Sequence, residues 1–206
     1  MILRRSCSVL AATVVLLAAC ALTSAAAAGE RVIRVVTSDG LPPFAFRDDA
    51  GTLKGLLIDR WARWSQTTGV KVELQALDWA DALDRMRDGD ADVLDGVTVT
   101  EERRKVFAFS EPYTALEVSL FHARDIAGIV DAPAARGFVI GVRKGDACAD
   151  HLRTAGVDTL KTYASYTVMI EAARSGELRV FCGHRPQSHY YLGRLGIDEL
   201  FLASPP

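Results

Sequence analysis

Gly96, Thr98 and Arg103 fall within one stretch, Gly96-Val97-Thr98-Val99-Thr100-Glu101-Glu102-Arg103, just after the mostly apolar Ala91-Asp92-Val93-Leu94. A segment of this kind leaves a strand with free backbone N–H groups, a hydroxyl and a guanidinium facing one small anion. Arginine suits that task because its planar fork meets a carboxylate with two parallel hydrogen bonds. An arginine among Glu101, Glu102, Arg104 and Lys105 could also be plain solvated surface, and Arg104 is read that way. The position of Arg103 behind Gly96 and Thr98 favours carboxylate binding instead. Trp79 offers a flat apolar face that could stack on a ligand's carbon skeleton, or simply fill a core. Asp59, Asp78 and Asp92 read as helix caps or structural hydrogen-bonding groups, so no catalytic residue is assigned. His122, His151 and His189 read as surface or helix-face residues, and Tyr190 and Tyr191 as packing residues.

Regular elements must hold these groups in place. Arg31 to Thr37 reads as a strand rich in β-branched residues and bounded by Ser38-Asp39-Gly40. Leu41-Pro42-Pro43-Phe44 reads as a loop, because paired prolines cannot join a ladder. Asp48 to Gly51 is a turn, and Leu57, Trp61 and Trp64 fall at helical spacing ahead of Gly69. Val70 to Leu77 alternates as a strand, Ala80 to Arg87 follows as a helix, and Ala91 to Leu94 as a short buried strand. That succession is the rhythm of a parallel α/β sheet. A second unit follows Tyr113. Its strands fall at Val118–His122, Phe138–Val142, Thr159–Tyr163 and Leu178–Cys182, and its helices at Gly145–Leu152, Val168–Ser175 and Pro186–Leu192. The fold class expected is α/β with two lobes and a cleft between them.

Bulk properties narrow the function. The 206 residues are 50% apolar and 24% charged, ordinary for a globular chain, and the formal charge of -2 shows no basic stripe for nucleic acid. Arg4 and Arg5, an apolar run from Val9 to Leu17 and Ala26-Ala27-Ala28 together describe a secretory signal. The run is shorter than the roughly 20 residues of a membrane-spanning helix. Two processing routes are open: cleavage after Ala28, or lipidation of Cys20 in Leu17-Ala18-Ala19-Cys20, which looks like a lipobox. Either exports the chain to the periplasm; membrane attachment is expected only through a lipid on Cys20, where the second route is taken. Cys7 and Cys20 lie in the signal, leaving Cys148 and Cys182 for one disulfide in an oxidising compartment.

An ordered set of motifs resembles the family 3 bacterial extracellular solute-binding proteins, which have the two-lobed type II periplasmic binding fold. Leu41-Pro42-Pro43-Phe44-Ala45-Phe46 looks like the family's loop after its first strand, and Gly55 through Asp59 like the entry to its first helix. Trp79, Gly89 and Asp92 match its second helix and the strand after it. Thr100-Glu101-Glu102-Arg103 matches its Thr-x-x-Arg, Phe109-Ser110-Glu111-Pro112-Tyr113 its Phe-Ser-x-Pro-Tyr, and Gly141-Val142-Arg143-Lys144-Gly145 its Gly-Val-x-x-Gly loop. The resemblance implies a signal over 1–28 (or to 19 for a lipoprotein), a first lobe over 29–116 and a second over 117–206. It implies a ligand-binding set of Arg103, Thr98, Gly96, Trp79, Ser38, Leu41, Arg143, Asp146 and His184, with no cofactor and no metal. It also implies that the chain stops before the family's return segment to the first lobe.

The second lobe departs from the family's amino-acid pattern. His184 stands where an Asp usually takes the ligand ammonium, and a histidine cannot supply that fixed negative charge. Asp146 stands where Thr or Ser is usual and could restore the carboxylate from another backbone point. Alternatively, Arg103, Arg143 and His184 together suit an acid lacking the ammonium, such as a dicarboxylate. In this fold Cys148 and Cys182 come to one sheet rim, compatible with a disulfide. Cys148-x-x-His151 with Cys182-x-His184 also offers four metal-type ligands.

The function implied is capture of a small carboxylate-bearing ligand, an amino acid or related organic acid, for an ABC permease. A ligand-sensing input module of a kinase or diguanylate cyclase is the alternative. An enzyme resembling the cyclohexadienyl dehydratases is a third reading, for which Asp146 and His184 would have to serve as the acid–base pair.

Overall fold

The structure, a computed structural model, describes residues 31–206. The expected export signal and Cys20 lie outside the described residues. Strand β1 (Val32–Ser38) turns from half-exposed to fully buried over its last four residues, Val35 to Ser38. It is the central strand of a three-stranded sheet, between β5 (Lys71–Leu77) and the short β6 (Val93–Leu94). Pairing of β1 with β6 is parallel, with Val35 opposite Val93 and Val36 opposite Leu94. The carboxyl ends of both strands therefore point the same way, and Ser38 and Gly96 emerge at one rim.

The prolines sit where a ladder can spare them. A small antiparallel sheet, β2 (Gly40–Leu41), β3 (Ala45–Arg47) and β4 (Leu53–Lys54), brackets Pro42 and Pro43, which form the turn between paired Leu41 and Ala45. Helix α1 (Leu56–Thr68) ends at Gly69, whose φ of 71° is the left-handed cap. Helix α2 (Trp79–Arg87) buries Trp79, Ala82 and Leu83 against Val36 and Ala91. The Glu101–Arg104 stretch forms a single helical turn, α3, capped by the Thr100 hydroxyl accepting from the Arg103 N–H.

The second sheet is five-stranded, ordered β11-β7-β10-β8-β9. Its parallel part comprises β8 (Ile140–Arg143), β9 (Leu160–Tyr163) and β10 (Val180–His184). Strands β7 (Val118–Ala123) and β11 (Phe201–Ala203) run antiparallel, so the sheet is mixed, and β11 was not foreseen from sequence. Helices α4 (Ala147–Thr154), α5 (Tyr166–Arg174) and α6 (Arg185–Arg194) cover it.

All five residues of β10 are buried, as expected of a strand packed on both faces. Alternation sends Phe181 to a core with Phe121, Met169, Ile170 and Leu192, and Val180 and Cys182 to another with Ile140, Val142 and Leu152. Each fully buried Leu, Ile, Met or Phe there contributes roughly 1.5–3 kcal/mol before entropy is counted. His122, expected at the surface, is 6% exposed on β7 with Nδ1 3.2 Å from the Ala123 carbonyl. Its strand faces core on both sides, which a lone histidine does not reveal in sequence.

Candidate ligand-binding site

Arg103 is 9% exposed, and its guanidinium donates to two carbonyls, Thr98 O at 2.7 Å and Gly145 O at 2.9 Å. Among the described residues no carboxylate forms an ion pair with it. Burial pushes its pKa down, offset in part by Asp146 and Asp150, yet a guanidinium remains charged. A buried cation held only by neutral acceptors is costly, and a further anionic partner would stabilise it.

The segment leading to Arg103 is shaped by Asp95, a residue sequence reasoning did not single out. Its carboxylate accepts the Gly96 N–H at 2.8 Å, the Trp61 Nε1–H at 2.7 Å and the Tyr113 hydroxyl. Burial and the neighbouring Asp95 push the Tyr113 hydroxyl pKa up, so it stays protonated and donates. Gly96 itself has φ of 74°, and a Cβ there would lie 3.0 Å from Leu41 Cδ2 and 3.2 Å from Leu57 Cδ1. Both backbone conformation and space therefore favour glycine. The signal available in sequence was the Asp95-Gly96 step at a strand's end, read only for its glycine.

The second sheet supplies Arg143, Asp146 and His184, all at most 6% exposed. Arg143 ends β8, Asp146 caps α4 and His184 ends β10, so adjacent parallel strands deliver them to one rim. Arg143 donates to Ser38 Oγ at 3.2 Å and approaches Asp146 Oδ2 at 3.4 Å. Burial pushes the Asp146 carboxyl upward, but Arg143, then His184 and the Cys148 N–H, hold it below the usual range. Burial lowers the His184 pKa, with Asp146 opposing, so the ring is neutral near pH 7. Asp146 Oδ1 and His184 Nε2 are 4.0 Å apart, beyond hydrogen-bonding distance for an acid–base pair. Tyr166, also unforeseen, accepts the His184 N–H at 3.1 Å and lies 5.0 Å beneath the Arg143 guanidinium.

Trp79 joins the two sides. Its Nε1 donates to Gly145 O at 2.8 Å, and its ring carries the Arg103 and Arg143 guanidinium carbons at 5.4 and 5.5 Å. Gly145 has φ of 73°, and a Cβ there would stand 3.0 Å from Leu83 and 3.5 Å from Trp79. Gln187 adds a further bridge to Gly40 O. Of the sequence-derived set, Arg103, Thr98, Trp79, Ser38, Arg143, Asp146 and His184 thus form one connected network. Gly96 and Leu41 touch its edge by shape rather than by polar contact.

Cys148 and Cys182 are joined, with Cα atoms 5.9 Å apart, tying α4 to β10 beside His184. Their sulfurs are therefore not the thiolates the metal reading needed. Asp92 accepts the Arg34 backbone N–H at 2.8 Å and its guanidinium at 2.8 Å, and those bonds hold its carboxyl at about 2. It is structural, as its sequence position implied.

The fold is that of the two-lobed binding proteins, and the charged network lies where the ends of the two sheets meet. Residues 33–174 match the bacterial extracellular solute-binding proteins, family 3, and the chain belongs to that family. It is 31% identical over 84 residues to a probable histidine-binding protein of Neisseria gonorrhoeae, covering 40% of this chain and 31% of that protein. It is 28% identical over 141 residues to an L-cystine-binding protein of Escherichia coli, covering 66% of this chain and 53% of that protein. The matches thus span about a third and about half the length of these curated relatives. Among solved structures, an ancestral arginine-binding protein bound to glutamine matches at TM-score 0.74 and 26% identity, over 85% of this chain and 78% of that one. The family is one of binding proteins, and among the described residues no helix is long and apolar enough to cross a membrane.

Proposed function

We propose that this chain captures a small carboxylate-bearing ligand, an amino acid or related organic acid, in the periplasm and presents it to an ABC-type permease. The first lobe is 29–116 and the second 117–206, closing on the ligand by hinge motion. The supporting observation is Arg103, a buried guanidinium bonded only to carbonyls beside a hydroxyl-bearing strand end. A ligand carboxylate would take the place of Gly145 O on that fork and meet it with two charge-assisted bonds. Relatives named for histidine, cystine and arginine all concern amino acids, which supports the amino-acid side of the reading.

A thermal-shift panel of amino acids, dicarboxylates and other small acids tests it. A true ligand at a hundredfold excess over its Kd adds about 2.7 kcal/mol to stability, a visible shift. The expected outcome is a shift with at least one acid that disappears in Arg103→Ala. A folded protein that responds to none of them contradicts the proposal.

A further inference from the structure

We infer that the ligand is an amino acid bearing a second carboxylate, of net charge −1, with Arg103 and Arg143 each taking one carboxylate and Asp146 taking the ammonium. This rests on the binding function proposed above and assigns the charge of its ligand.

Charge balance carries the argument. Three charged side chains of the connected network are buried, Arg103, Arg143 and Asp146, at 9%, 6% and 5% exposure; the buried Asp95 lies outside that network, its carboxylate taken up by Gly96, Trp61 and Tyr113. Their sum is one positive charge in excess. His184 is buried and neutral and does not change it. In a closed, poorly hydrated cleft an uncompensated charge is expensive, so the best complement carries one net negative charge.

The free valences say where those charges go. Arg143 has five N–H donors, and its Nε has no partner. Asp146 has acceptor capacity left: Oδ1 takes only a long 3.5 Å cap bond from Cys148 N–H, and Oδ2 faces the Arg143 guanidinium at 3.4 Å without a hydrogen bond. Both guanidiniums lie against the same Trp79 ring, within reach of one small molecule.

Other charge types leave a group unmatched. A cationic side chain would face Arg143 and raise the excess to two positive charges. A neutral side chain leaves Arg143 with Asp146, 3.4 Å away, as its one anion and the excess positive charge in place. A dicarboxylate lacking the ammonium satisfies both arginines but sets its own charges against the Asp146 carboxylate. A dicarboxylic amino acid satisfies all three residues.

Calorimetric titration of the full chain with L-glutamate, L-aspartate, L-glutamine, L-histidine, L-arginine and glutarate tests this. The better of glutamate and aspartate should bind at least ~10-fold tighter than glutamine or glutarate, with arginine weakest. Arg143→Gln should erase the preference for glutamate over glutamine. Asp146→Asn should erase the preference for glutamate over glutarate. If either variant does not fold, the wild-type ranking decides alone. Tightest binding of glutamine, histidine or arginine overturns the charge assignment while leaving amino-acid capture standing. Tightest binding of glutarate overturns the ammonium role of Asp146. Binding of none overturns this inference together with the function it rests on.

Discussion

The two walls of the cleft solve the problem of a buried charge differently. On the first wall Arg103 is held by backbone carbonyls, with Asp95 fixing the neighbouring Gly96 and no carboxylate answering the guanidinium itself. On the second wall Arg143 lies 3.4 Å from Asp146, and His184 completes the cluster. One wall has a charge with no carboxylate beside it; the other is largely answered by its own carboxylate. On the proposed function the first wall takes the group all ligands share, and the second what distinguishes them.

Five changes would break or sharpen that contrast. The largest effect should come from Arg103→Met, which removes the common anchor and costs about 2–5 kcal/mol of binding for every ligand, read by titration. Arg143→Met should instead reorder the ligands, so equal losses from both variants would erase the distinction between walls. Next is the Cys148→Ser, Cys182→Ser pair. Opening a loop between residues separated by 34 positions should cost roughly 2–4 kcal/mol in denaturant unfolding, with the same rank order of ligands kept. A changed order would mean the bridge shapes the pocket and does not merely brace it.

Trp79→Phe keeps an aromatic face but loses the donor to Gly145 O. It should lower stability by about 0.5–1.5 kcal/mol, read in the same unfolding experiment. No loss would show that the cross-cleft bond is formed at no net gain. The smallest effect concerns acid. Burial lowers the folded-state pKa of His184, so the unfolded chain takes up its proton first as pH falls below about 6.5. Stability should therefore decline through that range as pH drops, until the folded state is protonated too. His184→Gln should flatten the decline; an unchanged slope would assign it elsewhere.

Much of this arrangement was legible beforehand, for physical reasons. Strands such as β1 announce themselves by β-branched runs, and α1 by its apolar spacing and left-handed Gly69. Gly96, Thr98 and Arg103 were readable because residue type and spacing coincide in one continuous segment. Asp95 was not, since its three partners come from Gly96, Trp61 and Tyr113, two of them far away in sequence. Tyr166 and Gln187 were missed likewise, because their partners, His184 and Gly40, are brought near only by folding. The buried position of His122 and the antiparallel β11 depend on which strands become neighbours, which short apolar runs do not encode.

The central claim is that Arg103 lacks a carboxylate partner because the ligand provides one. Titration of wild type and Arg103→Ala with the same amino acids and dicarboxylates tests it most directly. One-to-one binding of at least one carboxylate ligand to the wild type, lost in a variant that still folds, is the predicted result. Equal affinity of both proteins for that ligand would contradict the account.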